Sequence, residues 1–197
     1  MFAEAGFHDA TVREICRRAG ANIAAVNYHF GDKEKLYAEV LRYSHGKTLE
    51  KHPVLLDVAS DAPPEKKLRA FVQSLLLRIF DKGPTAWHGR LMMREMIEPT
   101  AALDSLVEER IRPMAEQLQK IIAEILDCPL NDERVRPCSF SVVSQCLFYH
   151  HCQPVILRLF PKQVFDPAGI ARLADHITGF SLAAMNHLPE TRTTKTK

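Results

Sequence analysis

Apolar residues recur at intervals of three and four along almost the whole chain, and no stretch alternates apolar with polar between turn signals. That period lines one face of an α-helix and cannot build a half-buried strand, so the expected fold is all-α. Leu68, Phe71, Val72, Leu75, Leu76, Ile79 and Phe80 make one such face, opened by Pro63-Pro64 and closed near Gly83-Pro84. A longer face runs from Leu103 through Val107, Ile111, Met114, Leu118 and Ile122 to Leu126. Pro113 lies inside it, lacks an amide hydrogen and crowds the carbonyl of Glu109, so a bend is expected there. Further helices are expected from Arg136 to Gln153, stopping or kinking at Pro154, and from Pro167 to His187, ahead of Pro189.

Composition narrows the class. With 46% hydrophobic and 25% charged residues the 197-residue chain reads as an ordinary globular protein. No apolar run reaches the roughly 18 residues of a membrane helix, no membrane partner is expected, and the N-terminus lacks an export signature, so the cytoplasm is the expected location. The five cysteines are odd in number and show no CxxC spacing, which argues against a disulfide framework or a structural zinc site. Cys146 and His150, with His151 and Cys152 adjacent, cannot all point at one ion from one helix, so neither a metal nor another cofactor is expected. A nucleophile elbow, a phosphate-cradling glycine loop, a zinc-protease helix and a paired-carboxylate site are all missing, so no enzyme is expected. The net charge of +2 marks no nucleic-acid binder by bulk electrostatics, leaving only local charge to do so.

The stretch from Gly6 to Tyr37, GFHDATVREICRRAGANIAAVNYHFGDKEKLY, is dense in caps. Thr11 and Glu14 form a T-x-x-E capping box that opens a short helix through Ala19, with Val12, Ile15 and Cys16 inward, and Gly20 ends it. Asn22 caps a second short helix from Ile23 to about Phe30, leaving a Gly20-Ala21-Asn22 turn between the two. That is a helix-turn-helix, whose second helix enters the major groove. Ala24 and Ala25 are small enough for close approach, Asn27 can pair with adenine, and Tyr28, His29, Lys33 and Thr11 can reach phosphates. Val26 and Phe30 face inward. Asp32 caps the following helix, whose Leu36, Tyr37, Val40, Leu41 and Tyr43 suit a rod coupling two parts of the protein.

This segment resembles the DNA-binding region of the TetR family. The matching residues are Gly6-Phe7, Thr11, Ala19-Gly20, Tyr28-His29-Phe30 and Lys33-Glu34. Two departures stand out: only residues 1–5 precede the Gly-Phe pair, where the family has a full first helix, and Asn27 replaces a common Tyr. Five residues are too short for a stable helix by themselves, so a start further upstream is expected. The segments RLMMREMIEPT, IRPM and SQCLFYHHCQP resemble the CecR-type branch. The resemblance implies a DNA-binding domain over 1–48 and a helical effector-binding and dimerisation domain over 49–190; the tail over 191–197, TRTTKTK, has no apolar residue to anchor it and is expected to be disordered. It implies a repressor released from a palindromic double-stranded operator by a largely apolar small molecule. The alternative is a helical ligand-binding or interaction protein that no longer reads DNA.

For the effector, Phe71, Leu75, Trp87, Leu91, Met92, Met96, Met114, Leu118 and Phe148 supply apolar surface, although helical spacing alone already assigns most of them to the core. Glu95, Gln145 and His150, with Arg90 and Arg94, are polar candidates, or else surface ion-pair partners. For a homodimer, Val142, Val143, Ile170, Leu173, Ile177, Phe180, Ala184 and Met185 suit a four-helix interface about a twofold axis; the small residues Gly179, Ser181, Ala183 and Ala184 permit close helix approach there, and equally suit packing within one subunit.

Overall fold

A computed structural model describes residues 1–82 and 86–189. Its helices are α1 Phe2–Asp9, α2 Val12–Ala19, α3 Ile23–Phe30, α4 Lys33–Lys51, α5 Pro64–Ile79, α6 Trp87–Ile97, α7 Ala102–Leu106, α8 Arg112–Ile125, α9 Val135–His151, α10 Gln153–Leu159 and α11 Pro167–Met185. Among the described residues there is no strand, and no helix is long and apolar enough to cross a membrane. The Gly83-Pro84 stop and the 191–197 tail lie outside the described residues.

Two compact units emerge. The first joins Met1–Lys51 to Asp81–Pro113, and the second joins His52–Phe80 to the chain from Met114 onward. The sequence placed residues 81–113 with the sensor part, whereas by packing they stand with the N-terminal helices. The physical reason is a core that periodicity cannot assign: Leu91 and Leu106 pack with Phe2, Val26, Leu36, Tyr37 and Leu41.

In the first unit, Tyr37 is the hub, only 1% exposed. Its ring lies 4.9 Å from that of Phe2 and 5.1 Å from that of Phe7. Its hydroxyl donates to Glu95 Oε1 at 2.7 Å, and the same carboxylate accepts from the Thr100 amide and hydroxyl, so the buried acid is well supplied with donors. Burial, followed by the bond to Glu95, pushes the Tyr37 pKa up. Helix α1 forms although its first segment was expected to be too short, because tertiary contacts substitute for length. Phe2 is buried, a contribution of about 2 kcal/mol, and Arg94 Nη2 donates to the Glu4 carbonyl at 2.5 Å. Gly6 breaks the helix at φ 84°, and a Cβ there would stand 2.9 Å from Arg94 Nη1, so this turn calls for glycine.

Where a bend before Pro113 was expected, the hydrogen-bond pattern of the helix changes. Residues Val107–Ile111 make a π turn, with the Arg112 amide bonded to the Val107 carbonyl, and α8 then continues through Pro113. The wide turn shifts the register where the proline ring would meet a carbonyl.

The second unit packs α5 against α9 and α11, with α9 and α11 also in contact. Leu68, Phe71, Val72, Leu76, Leu118, Ile122, Val142, Ile170 and Ile177 fill its core, and Phe80 stacks on Phe165 at 4.5 Å. Asp166 caps α11 by accepting from the Gly169 amide at 2.7 Å. Helix α9 ends near the expected proline, but the chain resumes helix at once as α10, with Pro154 in its first turn, where a missing amide costs nothing.

Candidate nucleic-acid interface

The helix-turn-helix is built by its caps, as the sequence implied. Thr11 Oγ1 accepts from the Glu14 amide at 3.3 Å, and Asn22 Oδ1 accepts from the Ala24 amide at 2.9 Å. Gly20 adopts the left-handed conformation at φ 62°, and its neighbour Ala21 donates back to the Cys16 carbonyl. Asp32 Oδ1 caps α4 through the Lys35 amide at 2.8 Å. The capping box is only half formed, because the Glu14 carboxylate turns to Arg17 at 2.6 Å and Arg18 at 3.1 Å instead. Those guanidiniums hold its pKa down to about 2.

Val26 is buried and Phe30 half-buried, so α3 is fastened by that edge alone. Ala24, Ala25, Asn27, Tyr28 and His29 are all exposed, with Tyr28 at 86%. Thr11 and Asn22 are exposed as well, although each spends a side-chain acceptor on its cap. The face thus offers small side chains flanked by an amide, a phenol and an imidazole, a chemistry fitted to groove floor and phosphate wall.

Lys33 requires a correction. It was expected to reach phosphate, but its ammonium donates to the carbonyls of Phe7 at 3.1 Å, His8 at 3.3 Å and Ala10 at 3.2 Å. It also lies 4.4 Å over the Phe7 ring. An ammonium has three donors, and all three are committed to closing the C-terminal end of α1. The sequence could not show this, since the partners are backbone atoms more than 20 positions away. Conversely, Arg13 on the outer face of α2 is exposed and has no ion pair among the described residues, while Arg17 and Arg18 are exposed but paired with Glu14. The spacing of Arg13 and Arg17, i and i+4 on a helix of the motif, was the signal that could have found them.

The expected effector residues do not gather in one unit. Trp87, Leu91, Met92, Glu95 and Met96 stand in the first, and Phe71, Leu75, Met114, Leu118, Gln145, Phe148 and His150 in the second. Leu91, Phe71 and Leu118 are core residues, Glu95 is committed to Tyr37 and Thr100, and Met96 and Phe148 are exposed. Gln145 donates to the Ser181 hydroxyl at 3.2 Å. His150 is half-buried beside Phe80, and its pKa is lowered, first by burial and then by His151. Arg90 is exposed, and Arg94 is bound to α1.

The expected dimer residues also divide. Val142, Ile170, Leu173, Ile177 and Met185 are buried in their own subunit's core, with Val142 and Met185 also lining the groove between α9 and α11. Phe180 and Ala184 are exposed, and Val143 is partly so. Helical spacing identifies an apolar face but not its partner. The outward faces of α9 and α11 carry exposed Phe140, Phe148 and Phe180. Between the two helices runs a groove of about 560 Å³ lined by residues including Pro137, Cys138, Gln145, Ala184 and Leu188.

Residues 1–40 match the family model described as bacterial regulatory proteins, tetR family. Residues 64–185 match the C-terminal domain of the HTH-type transcriptional dual regulator CecR. The HTH-type transcriptional dual regulator CecR of Shigella flexneri is 30% identical over 176 residues, covering 84% of this chain and 78% of that one. Among solved structures, a transcriptional regulator from Rhodococcus sp. Rha1 shares the fold at TM-score 0.62 and 21% identity, covering 95% and 93% of the two chains. AibR, crystallised with isovaleryl coenzyme A and operator DNA, shares it at TM-score 0.65 and 18% identity, covering 91% and 90%. The chain belongs to the TetR family of bacterial transcriptional regulators, in the branch that carries a CecR-type C-terminal domain.

Proposed function

We propose that the protein is a homodimeric repressor that binds a palindromic operator through α3 and is released by a largely apolar small molecule held among the helices of its second unit. The observation that carries the reading is the exposure of Ala24, Ala25, Asn27, Tyr28 and His29 on a short helix capped at its start and anchored by Val26. Thr11, Asn22, Ala24, Ala25, Asn27, Tyr28 and His29 form the interface, joined by Arg13 and Arg17 from α2. A twofold assembly through Phe140, Phe148, Phe180 and Ala184 presents two such helices, and operator binding requires them about 34 Å apart, one turn of duplex. Effector binding favours a dimer state with a different spacing, and operator DNA weakens effector binding by the same factor. The AibR structure with both an acyl-coenzyme A and operator DNA supports the combination for this fold.

The alternative of a chain that no longer reads DNA rested on the absence of a brace before Gly6. Phe2, Arg94 and Lys33 supply that brace, which favours the DNA-binding reading. Footprinting of the purified protein on genomic fragments tests it: protected half-sites with dyad symmetry support the reading, and uniform salt-sensitive binding with no protected site refutes it.

A further inference from the structure

The second unit contains a buried arginine that no acid among the described residues neutralises. Arg78, in the last turn of α5, is 4% exposed. A buried guanidinium is ordinarily offset by a carboxylate, because desolvating an unpaired charge is costly. Here Nε donates to the Ser74 carbonyl of its own helix at 3.3 Å, and Nη1 to the sulfur of Met114 at 2.9 Å. Nη2 is buried with no partner among the described residues. The Cys146 thiol is nearby, but burial pushes its pKa up to about 12, so it carries no countercharge at neutral pH. Burial lowers Arg78 itself to about 10, which still leaves it charged.

The arrangement of these contacts matters more than their weakness. Nε is tied to the helix, which holds the Nη1–Nη2 edge away from α5 as a fixed fork. That edge is the one a carboxylate engages with two parallel hydrogen bonds. Half of it is occupied by a thioether, a poor acceptor on a flexible side chain. Met114 is only partly buried, so a rotamer change in this one residue uncovers the fork. Among the described residues Arg78 is also the only buried lysine or arginine, which matches a single negative charge.

The geometry points to Arg78 as the anchor for the carboxylate of a small organic acid, which displaces the Met114 sulfur and lays its apolar remainder against Leu75, Met114 and Leu118. This inference rests on the effector-sensing reading above and adds the class of effector, a monoanion with a compact apolar body.

The test uses the full chain, in thermal-shift titrations at fixed ionic strength. The probes are sodium butyrate, hexanoate, octanoate and phenylacetate, their primary amides, and sodium phosphate. Each is run on the wild type, Arg78→Met and Arg78→Lys. The expected result is a rise in Tm with the carboxylates that grows with apolar size. The amides should bind about tenfold more weakly or worse, since they lack the charge that strengthens the bond. Arg78→Met should lose the carboxylate response yet melt no lower than the wild type without ligand, because it removes an uncompensated charge. Arg78→Lys should fold and bind more weakly, having kept the charge but lost the fork. Failure of Arg78→Met to fold, or a lowered Tm, would assign Arg78 a structural role and overturn the proposal, as would equal carboxylate shifts in Arg78→Met and wild type. A response to phosphate alone overturns it too. Amides that shift all three proteins equally would remove Arg78 while leaving effector sensing intact, and silence from every probe would count against both.

Discussion

Replacing Lys33 with Ala separates two roles that DNA-binding lysines are often assumed to combine. The ammonium makes three charge-assisted bonds to the carbonyls of Phe7, His8 and Ala10 and lies over the Phe7 ring. A bond involving a charged group contributes about 1.5–3 kcal/mol when sheltered. The Phe7 and Ala10 carbonyls are part-buried and the His8 bond is exposed, so water replaces much of what is lost. The cation–π contact adds about 0.5–1 kcal/mol, and releasing the lysine chain returns up to about 2 kcal/mol of rotamer entropy. The net loss is on the order of 2 kcal/mol, concentrated at the end of α1. Hydrogen exchange should therefore show α1 and α2 amides opening about 30-fold more readily, with α11 unchanged. Operator binding should weaken, but the slope of log affinity against log salt should match the wild type, since no phosphate contact has been removed. A slope shallower by about 0.9 with unaltered exchange would show that Lys33 meets phosphate, and would refute the bracing argument.

Asn27→Ala should lower specific operator affinity about tenfold while leaving nonspecific binding and the melting temperature unchanged, measured by fluorescence anisotropy on matched and scrambled duplexes; equal affinity for the matched duplex would clear Asn27 of base contact. Gly169→Ala should destabilise the second unit by about 1–3 kcal/mol in urea melts, because its Cβ would fall 2.3 Å from the Val164 carbonyl oxygen, a backbone atom. Phe180→Glu should yield a folded monomer in light scattering, whereas Ile177→Glu, one turn away and fully buried, should not fold; a dimeric Phe180→Glu would move the interface elsewhere. For Glu14, whose folded pKa is depressed from 4.5 to about 2 by Arg17 and then Arg18, the stabilising link is complete above the unfolded value and is lost as pH falls through about 2. Carboxyl chemical shifts should report that midpoint, and a value near 4.5 would mean that the ion pairs do not persist in solution.

What could be read in the residues alone is local. The caps at Thr11, Asn22 and Asp32 and the left-handed Gly20 each involve partners within a few positions, so their chemistry is written in short spacing. The all-α class and the motif followed directly. The direction of an apolar face was legible too, but not its partner. Ile177 and Leu173 serve their own subunit, while Phe180 on the same helix stands outside. Lys33 and Arg78 show the same limit for charge. One spends its donors on carbonyls brought near by the fold, and the other is buried without an acid. Burial and long-range pairing are properties of the assembled chain, because they depend on which helices meet, and only the tertiary structure decides that.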